Sequence, residues 1–183
     1  MNARAFEPTR LDIEAFAAQG AELDGRWPLL QFDRLCQATA AESSPIESDT
    51  VDWHARGEQA RSSRGEPQAW LNLEASTTVA LECQRCLAPV QIALDVRRRF
   101  RFVHGEDAAA QLDAASEEDV LALTRALDLR ELIEEELLLA LPIVPAHPVC
   151  PAPLPVAPND EAAEERAHPF AALAALKQDG PSN

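Results

Sequence analysis

Two cysteines, Cys83 and Cys86, stand between two arms of alternating polarity in the stretch TTVALECQRCLAPVQIALDVRRRFRF, residues 77–102. A C-x-x-C spacing lets two thiolates reach one ion. Four such donors in a tetrahedron, each sulfur about 2.3 Å from the metal, make a closed structural zinc site with no position left for a substrate. The sequence offers two more donors, His147 and Cys150, in H-x-x-C spacing just after a proline-bounded helix end. Cys83, Cys86, His147 and Cys150 would complete a Cys3His set, although the halves lie far apart along the chain. The competing explanation is that Cys83 and Cys86 are small residues at a tight bend and that His147 is a surface histidine. A thioredoxin-like redox role is disfavoured, because that motif opens a helix in a βαβ unit and this one joins two strands. A nucleobase deaminase needs P-C-x-x-C, which is absent. The fourth cysteine, Cys36, falls at helical spacing with Leu29 and Phe32 and reads as a core thiol.

The elements that must position these donors are legible from periodicity. Leu71, Leu73, Ala75, Thr77, Val79 and Leu81 alternate with Asn72, Glu74, Ser76 and Thr78, the period-two pattern of a half-buried strand. Val90, Ile92, Leu94, Val96, Phe100 and Phe102 repeat the pattern beyond the C-x-x-C, so the motif sits at the bend of a hairpin. An earlier alternation, Val51, Trp53, Ala55 and Gly57, predicts a preceding strand, and three strands in succession imply an antiparallel meander. Asp119 to Leu123 could add a short strand. One helix is expected from Arg10 to about Gln19, and another is opened by Pro28. The clearest is LDLRELIEEELLLAL, residues 127–141, with Asp128 as N-cap, Leu129, Leu132, Ile133 and Leu137 on its apolar face, and Glu134, Glu135 and Glu136 as a solvated surface. Pro142 stops it. The stretch 104–118 lacks a strong period and is expected to be mobile.

The fold class implied is α+β: a small antiparallel sheet, a meander or partly barrel-like, with helices packed on it. The organisation expected is a body over residues 1–150 and an extended acidic tail over 151–183. Seven prolines between Pro142 and Pro158 rule out a regular ladder there. A metal would have a plain task, to pin this proline-rich segment onto the hairpin tip. The tail ends in a short amphipathic stretch opened by Pro169, with Phe170, Leu173 and Leu176 on one side, that could dock on a partner.

Charge narrows the function classes. The 183 residues carry a formal net charge of −15. Residues 1–105 hold 12 Arg against 15 Asp and Glu, whereas residues 106–183 hold 4 basic against 16 acidic side chains. Such a field repels a phosphate backbone and attracts basic proteins. The local exception is the face carrying Arg97, Arg99 and Arg101, which with Arg85 at the hairpin tip could meet phosphates, if it is not simply a solvated strand face. No carboxylate cluster, nucleophile–base pair or open metal site points to a hydrolase, and three successive glutamates on an amphipathic helix belong to a surface rather than to general acid–base work. There is no run of eighteen apolar residues and no apolar signal core at the N-terminus, so a cytoplasmic protein without a membrane span is expected.

Three blocks, LECQRCLAPV at 81–90, LDLRELIEEELLLALPIVPAH at 127–147 and HPFAALAALK at 168–177, together resemble the YceD family, the large ribosomal RNA subunit accumulation proteins. The resemblance implies a non-enzymatic cytoplasmic factor that supports synthesis, processing or stability of 23S rRNA during large-subunit assembly, with no small-molecule substrate. It carries over to Cys83, Arg85, Cys86 and Leu87, to Asp128, Leu129 and Pro142, and to Pro169, Phe170, Leu173 and Leu176, and it is compatible with a metal ligand near position 150. Combined with the charge, it points to an acidic adaptor for a basic ribosomal protein or assembly factor, with rRNA reached indirectly. The alternative is direct RNA binding by a zinc-knuckle-like protein through the Arg97/Arg99/Arg101 face.

Overall fold

Alternating side chains in the middle of the chain build a sheet, and the short helices before and after it supply its cover. The computed structural model describes residues 6–61 and 65–151. Within them the order is α1 (Ile13–Ala18), β1 (Glu22–Pro28), α2 (Asp33–Gln37), β2 (Thr50–Arg61), β3 (Pro67–Glu82), β4 (Pro89–Val103), α3 (Glu106–Asp113), β5 (Asp119–Ala122) and α4 (Leu129–Leu139). The five strands lie in sequence order, β1 to β4 as an antiparallel meander and β5 parallel to the end of β4.

Register decides which face is buried. Leu23, Ala55, Leu73 and Arg98 share one row across the sheet, and Gly25, Trp53, Ala75 and Val96 share the next. This face meets α1 through Ile13 and Phe16, α2 through Leu35, and α4 through Leu129, Ile133 and Leu137, all fully buried. At roughly 25 cal/mol per Å² of apolar surface, such a layer supplies the main favourable term in folding. The opposite face carries charged rows: Asp24, His54, Glu74 and Arg97 in one, and Glu22, Arg56, Asn72 and Arg99 in another.

Several expectations need correction. The sheet is open rather than barrel-like, and its last strand is parallel, because α3 intervenes and returns the chain in the same direction. Residues 104–118 are not a structureless link but contain α3, whose Asp113 carboxylate accepts the Val120 N–H at 2.9 Å and ties the helix to β5. The first helix starts later than expected, at Ile13, because Asp12 caps it by accepting the Ala15 N–H at 3.1 Å. Pro28 closes β1 and caps a single 3-10 turn, Leu29–Gln31, so the α-helix expected from it, α2, starts only at Asp33. Finally, Glu134 and Glu136 are not solvated: their residues retain 9% and 7% exposure and pair with Arg34 and Arg98. The tail beyond Pro151, with Phe170, Leu173 and Leu176, lies outside the described residues.

Candidate metal centre

The β3–β4 hairpin turns over Cys83–Ala88. Its closing hydrogen bonds run from Cys83 N–H to the Ala88 carbonyl at 3.1 Å and from Leu87 N–H to the Cys83 carbonyl at 2.8 Å. Leu87 completes the reversal with φ 62°, a left-handed conformation that side chains other than glycine rarely adopt. Cys83 points inward and is fully buried, while Cys86 is half-buried.

The other two donors arrive from the C-terminal side. The backbone of α4 stops at Leu139, and Pro142 prevents it from resuming. The segment that follows is strapped to the hairpin tip by four contacts. The Pro145 carbonyl accepts the Gln84 N–H at 2.9 Å, the Arg85 guanidinium donates to the His147 and Pro148 carbonyls, and the His147 N–H points at Cys83 Sγ from 3.5 Å. Ala146 and Cys150 pack against the core on either side of His147. Prolines at 145, 148 and 151 leave this segment few backbone donors of its own.

These contacts gather one ligand atom from each of Cys83, Cys86, His147 and Cys150 within 4.8 Å of one another. Cys86 Sγ lies 3.5 Å from His147 Nδ1. A tetrahedral ion with sulfur at about 2.3 Å and nitrogen at about 2.0–2.1 Å would set that edge at about 3.5–3.6 Å. His147 Nε2 lies 3.1 Å from the Pro89 carbonyl, which can only accept. The ring proton therefore sits on Nε2, and the Nδ1 lone pair faces the sulfurs, the outer hydrogen bond that metal-binding histidines use to fix their tautomer.

The thiols are poised unequally. Burial pushes the Cys83 thiol up, but the backbone N–H groups of His147, Arg85 and Cys86 outweigh it and lower it from 9.0 to about 5. Burial raises the Cys150 thiol, and the neighbouring Cys86 and Cys83 sulfurs raise it further. Cys83 is thus the readier of the two to become a thiolate, and a bound cation would favour loss of the Cys150 proton as well. The donor set can hold a metal ion.

The remaining candidates fall elsewhere. Cys36 takes no part in the cluster; its Sγ approaches the Leu29 carbonyl at 3.2 Å. Arg97, Arg99 and Arg101 do leave β4 on the sheet's open face, but not as three free cations. Arg99 pairs with Glu58 at 3.3 Å and stacks over Trp70 at 4.3 Å, Arg101 is mostly covered and lies 3.9 Å from Glu118, and Arg97 sits opposite Glu74. Arg85 belongs to the strap. Sequence reasoning missed that clamp and the Pro89 carbonyl, because both are contacts between segments that no local pattern announces.

A family model described as large ribosomal RNA subunit accumulation protein YceD matches residues 71–177, more than half of the chain. The chain belongs to the YceD family. Its matched span contains most of the hairpin with its turn, α4 and all four donors of the cluster, while α1, β1, α2 and β2 precede it. No solved structure matches the chain. The family's description ties it to accumulation of large-subunit ribosomal RNA. Among the described residues no helix is long and apolar enough to cross a membrane.

Proposed function

We propose that this YceD-family chain is a non-enzymatic, zinc-pinned adaptor that supports accumulation of large-subunit ribosomal RNA by holding a basic protein. The observation that carries the reading is the convergence of four metal donors within 4.8 Å, three of them sulfur, on a hairpin tip and a proline-rich strap. Three sulfurs and one imidazole suit zinc, and a full set of four protein donors leaves no position at which water or substrate could be activated. The chemistry supported is mechanical: a bound ion ties residues 145–150 to the hairpin. Cytoplasmic residence follows from the same role.

Charge supports a protein partner over RNA. The open sheet face mixes signs, with Arg26 on Asp52, Arg56 near Glu22 and Arg99 on Glu58. Nucleic-acid binding is driven by cations that can release counterions from phosphates, and arginines already paired with carboxylates contribute less to that term. Direct RNA binding through Arg97, Arg99 and Arg101 is therefore the weaker alternative.

The test is a competition in moderate salt between purified large-subunit ribosomal proteins and bare 23S rRNA fragments, with elemental analysis of the same preparation. Tighter binding to the RNA than to any ribosomal protein defeats the adaptor reading; a chain purified without stoichiometric zinc defeats the pinned site.

A further inference from the structure

The sheet leaves part of β4 unpaired along its outer edge. The Cys83 N–H bonds the Ala88 carbonyl, and the antiparallel register runs without a break from Glu82↔Pro89 to Ala69↔Phe102. Hydrogen-bonded pairs alternate along such a ladder, so the even-numbered residues of β4 bond β3 and the odd-numbered ones turn their N–H and C=O groups away from it. Contacts at both ends have this parity. The Pro89 carbonyl faces His147 Nε2 at 3.1 Å, and the Val103 carbonyl accepts the Leu123 N–H at 2.7 Å. They also bound an opening: the strap covers the edge at Pro89, and β5 covers it from Phe100 to Val103. Between them Gln91, Ala93, Asp95 and Arg97 are exposed, and among the described residues their four outward N–H and four outward C=O groups meet no partner. Proteins blunt an edge of this kind with a proline, a bulge or a cover, and β4 has neither proline nor bulge between 91 and 97.

The row of backbone groups selects its occupant. Donors and acceptors alternate at ladder spacing, and an extended polypeptide answers both. A line of phosphates would answer the N–H groups but set anionic oxygens against the carbonyls. Length narrows the choice further, because seven residues span about 23 Å. The β4 of a second copy, at 15 residues, overshoots that opening and would run into the strap or β5. Side chains of an added strand would alternate between the apolar face beside Ile92, Leu94 and Val96 and the open face beside Gln91, Asp95 and Arg97. Asp95 and Arg97, neither in an ion pair among the described residues, favour a basic and an acidic side chain across from them.

We infer that the β4 edge from Gln91 to Arg97 is a slot that takes one extended, amphipathic segment of about seven residues from a partner protein as a sixth strand; this rests on the adaptor reading and gives it a contact. The metal clamp holds the strap that closes one end of the slot, so the opening is set before the partner arrives, which lowers the entropic cost of binding.

The experiment uses the full metal-loaded chain with the proteins extracted from purified large ribosomal subunits, and separately with bare large-subunit RNA. Residue-resolved amide exchange should find the N–H groups of Ala93, Asp95 and Arg97 fast in the chain alone and at least tenfold slower with a captured protein. The Leu94 N–H, bonded to β3, should be slow in both. Ala93→Pro removes an outward N–H that β3 does not use, the position at which a sheet accepts proline, so it should keep its zinc and strand signal and lose at least tenfold in capture. Slow exchange of the three groups in the chain alone would mean that the chain itself covers the edge, and it overturns the slot. Fast exchange of the three in the captured complex, or undiminished capture by Ala93→Pro, also overturns the slot, and all three results leave the adaptor standing. A parent chain that captures no protein, with or without bound RNA, overturns both.

Discussion

The Glu134 carboxylate of α4 accepts the backbone N–H of Arg34 at 2.8 Å, a hundred residues earlier in the chain. It also takes the Leu35 N–H at 3.2 Å and the Arg34 Nε–H at 3.0 Å. The residue at the N-cap of α2, Phe32, has no side-chain acceptor. A glutamate on one helix thus caps another, and the orphan donors of a five-residue helix are satisfied across the core. Removing the carboxylate leaves two N–H groups without their acceptor and the Arg34 guanidinium with only Glu135, at 3.5 Å. Glu134→Ala should lower stability by about 2–4 kcal/mol, and Glu134→Gln by less, since one amide oxygen remains. Urea unfolding of both variants checks this; equal stability of Glu134→Ala and the parent would refute the cap.

Gly57 makes room for α1. A Cβ there would lie 2.7 Å from the Phe16 carbonyl oxygen and 2.8 Å from its carbonyl carbon, backbone atoms that cannot turn aside. Gly57→Ala should cost about 1–3 kcal/mol by overpacking. Gly20→Ala, which meets nothing within 4 Å, separates steric crowding from conformational strain, since its φ is 58°. Thermal melts that leave Gly57→Ala unshifted would show that α1 can move away from β2.

Metal removal should loosen the strap before it unfolds the sheet. Chelation, or Cys86→Ser, is expected to abolish stoichiometric zinc and speed proteolysis within residues 142–151 while the strand signal in circular dichroism persists. Cobalt substitution should give the absorption of a tetrahedral site with three sulfurs, and a six-coordinate spectrum would contradict the donor set.

Acid sensitivity of the metal-free chain follows from Cys83, whose sulfur keeps the Arg85 and Cys86 N–H groups of the hairpin even where the strap loosens. Its thiol is lowered on folding from 9.0 to about 5, so its contribution to stability is complete above the ordinary value and is lost as pH falls through about 5. The melting midpoint of the chelated parent should therefore decline from pH 9 toward pH 5 more steeply than that of chelated Cys83→Ser. Parallel slopes for the two chains would remove Cys83 as the source.

Arg85 should act on the metal without touching it. Arg85→Ala frees the His147 and Pro148 carbonyls, and zinc affinity measured against a chromophoric chelator should fall roughly tenfold, as when an outer-shell contact is lost. Arg85→Lys, with a point charge in place of a fork, should recover only part of it. An unchanged affinity in Arg85→Ala would mean that the strap is held by the ion alone.

Much of this protein can be read from its order of residues. Period-two alternation specified β2, β3 and β4 and the bend carrying Cys83 and Cys86, because a strand's side chains choose their faces by position alone. Asp128 announced α4, and its carboxylate accepts the N–H groups of Arg130 and Glu131 as a local cap must. Sequence also identified Cys83, Cys86, His147 and Cys150 by donor type, but not that they meet. What tertiary structure alone decided were relationships between distant segments: the parallel return to β5, the burial of Glu134 and Glu136 against Arg34 and Arg98, the pairing that takes Arg99 out of a basic row, and the convergence of His147 and Cys150 on the hairpin. Local patterns report which face of an element is apolar. Which element covers that face depends on chain crossings and desolvated contacts that have no signature within any one stretch.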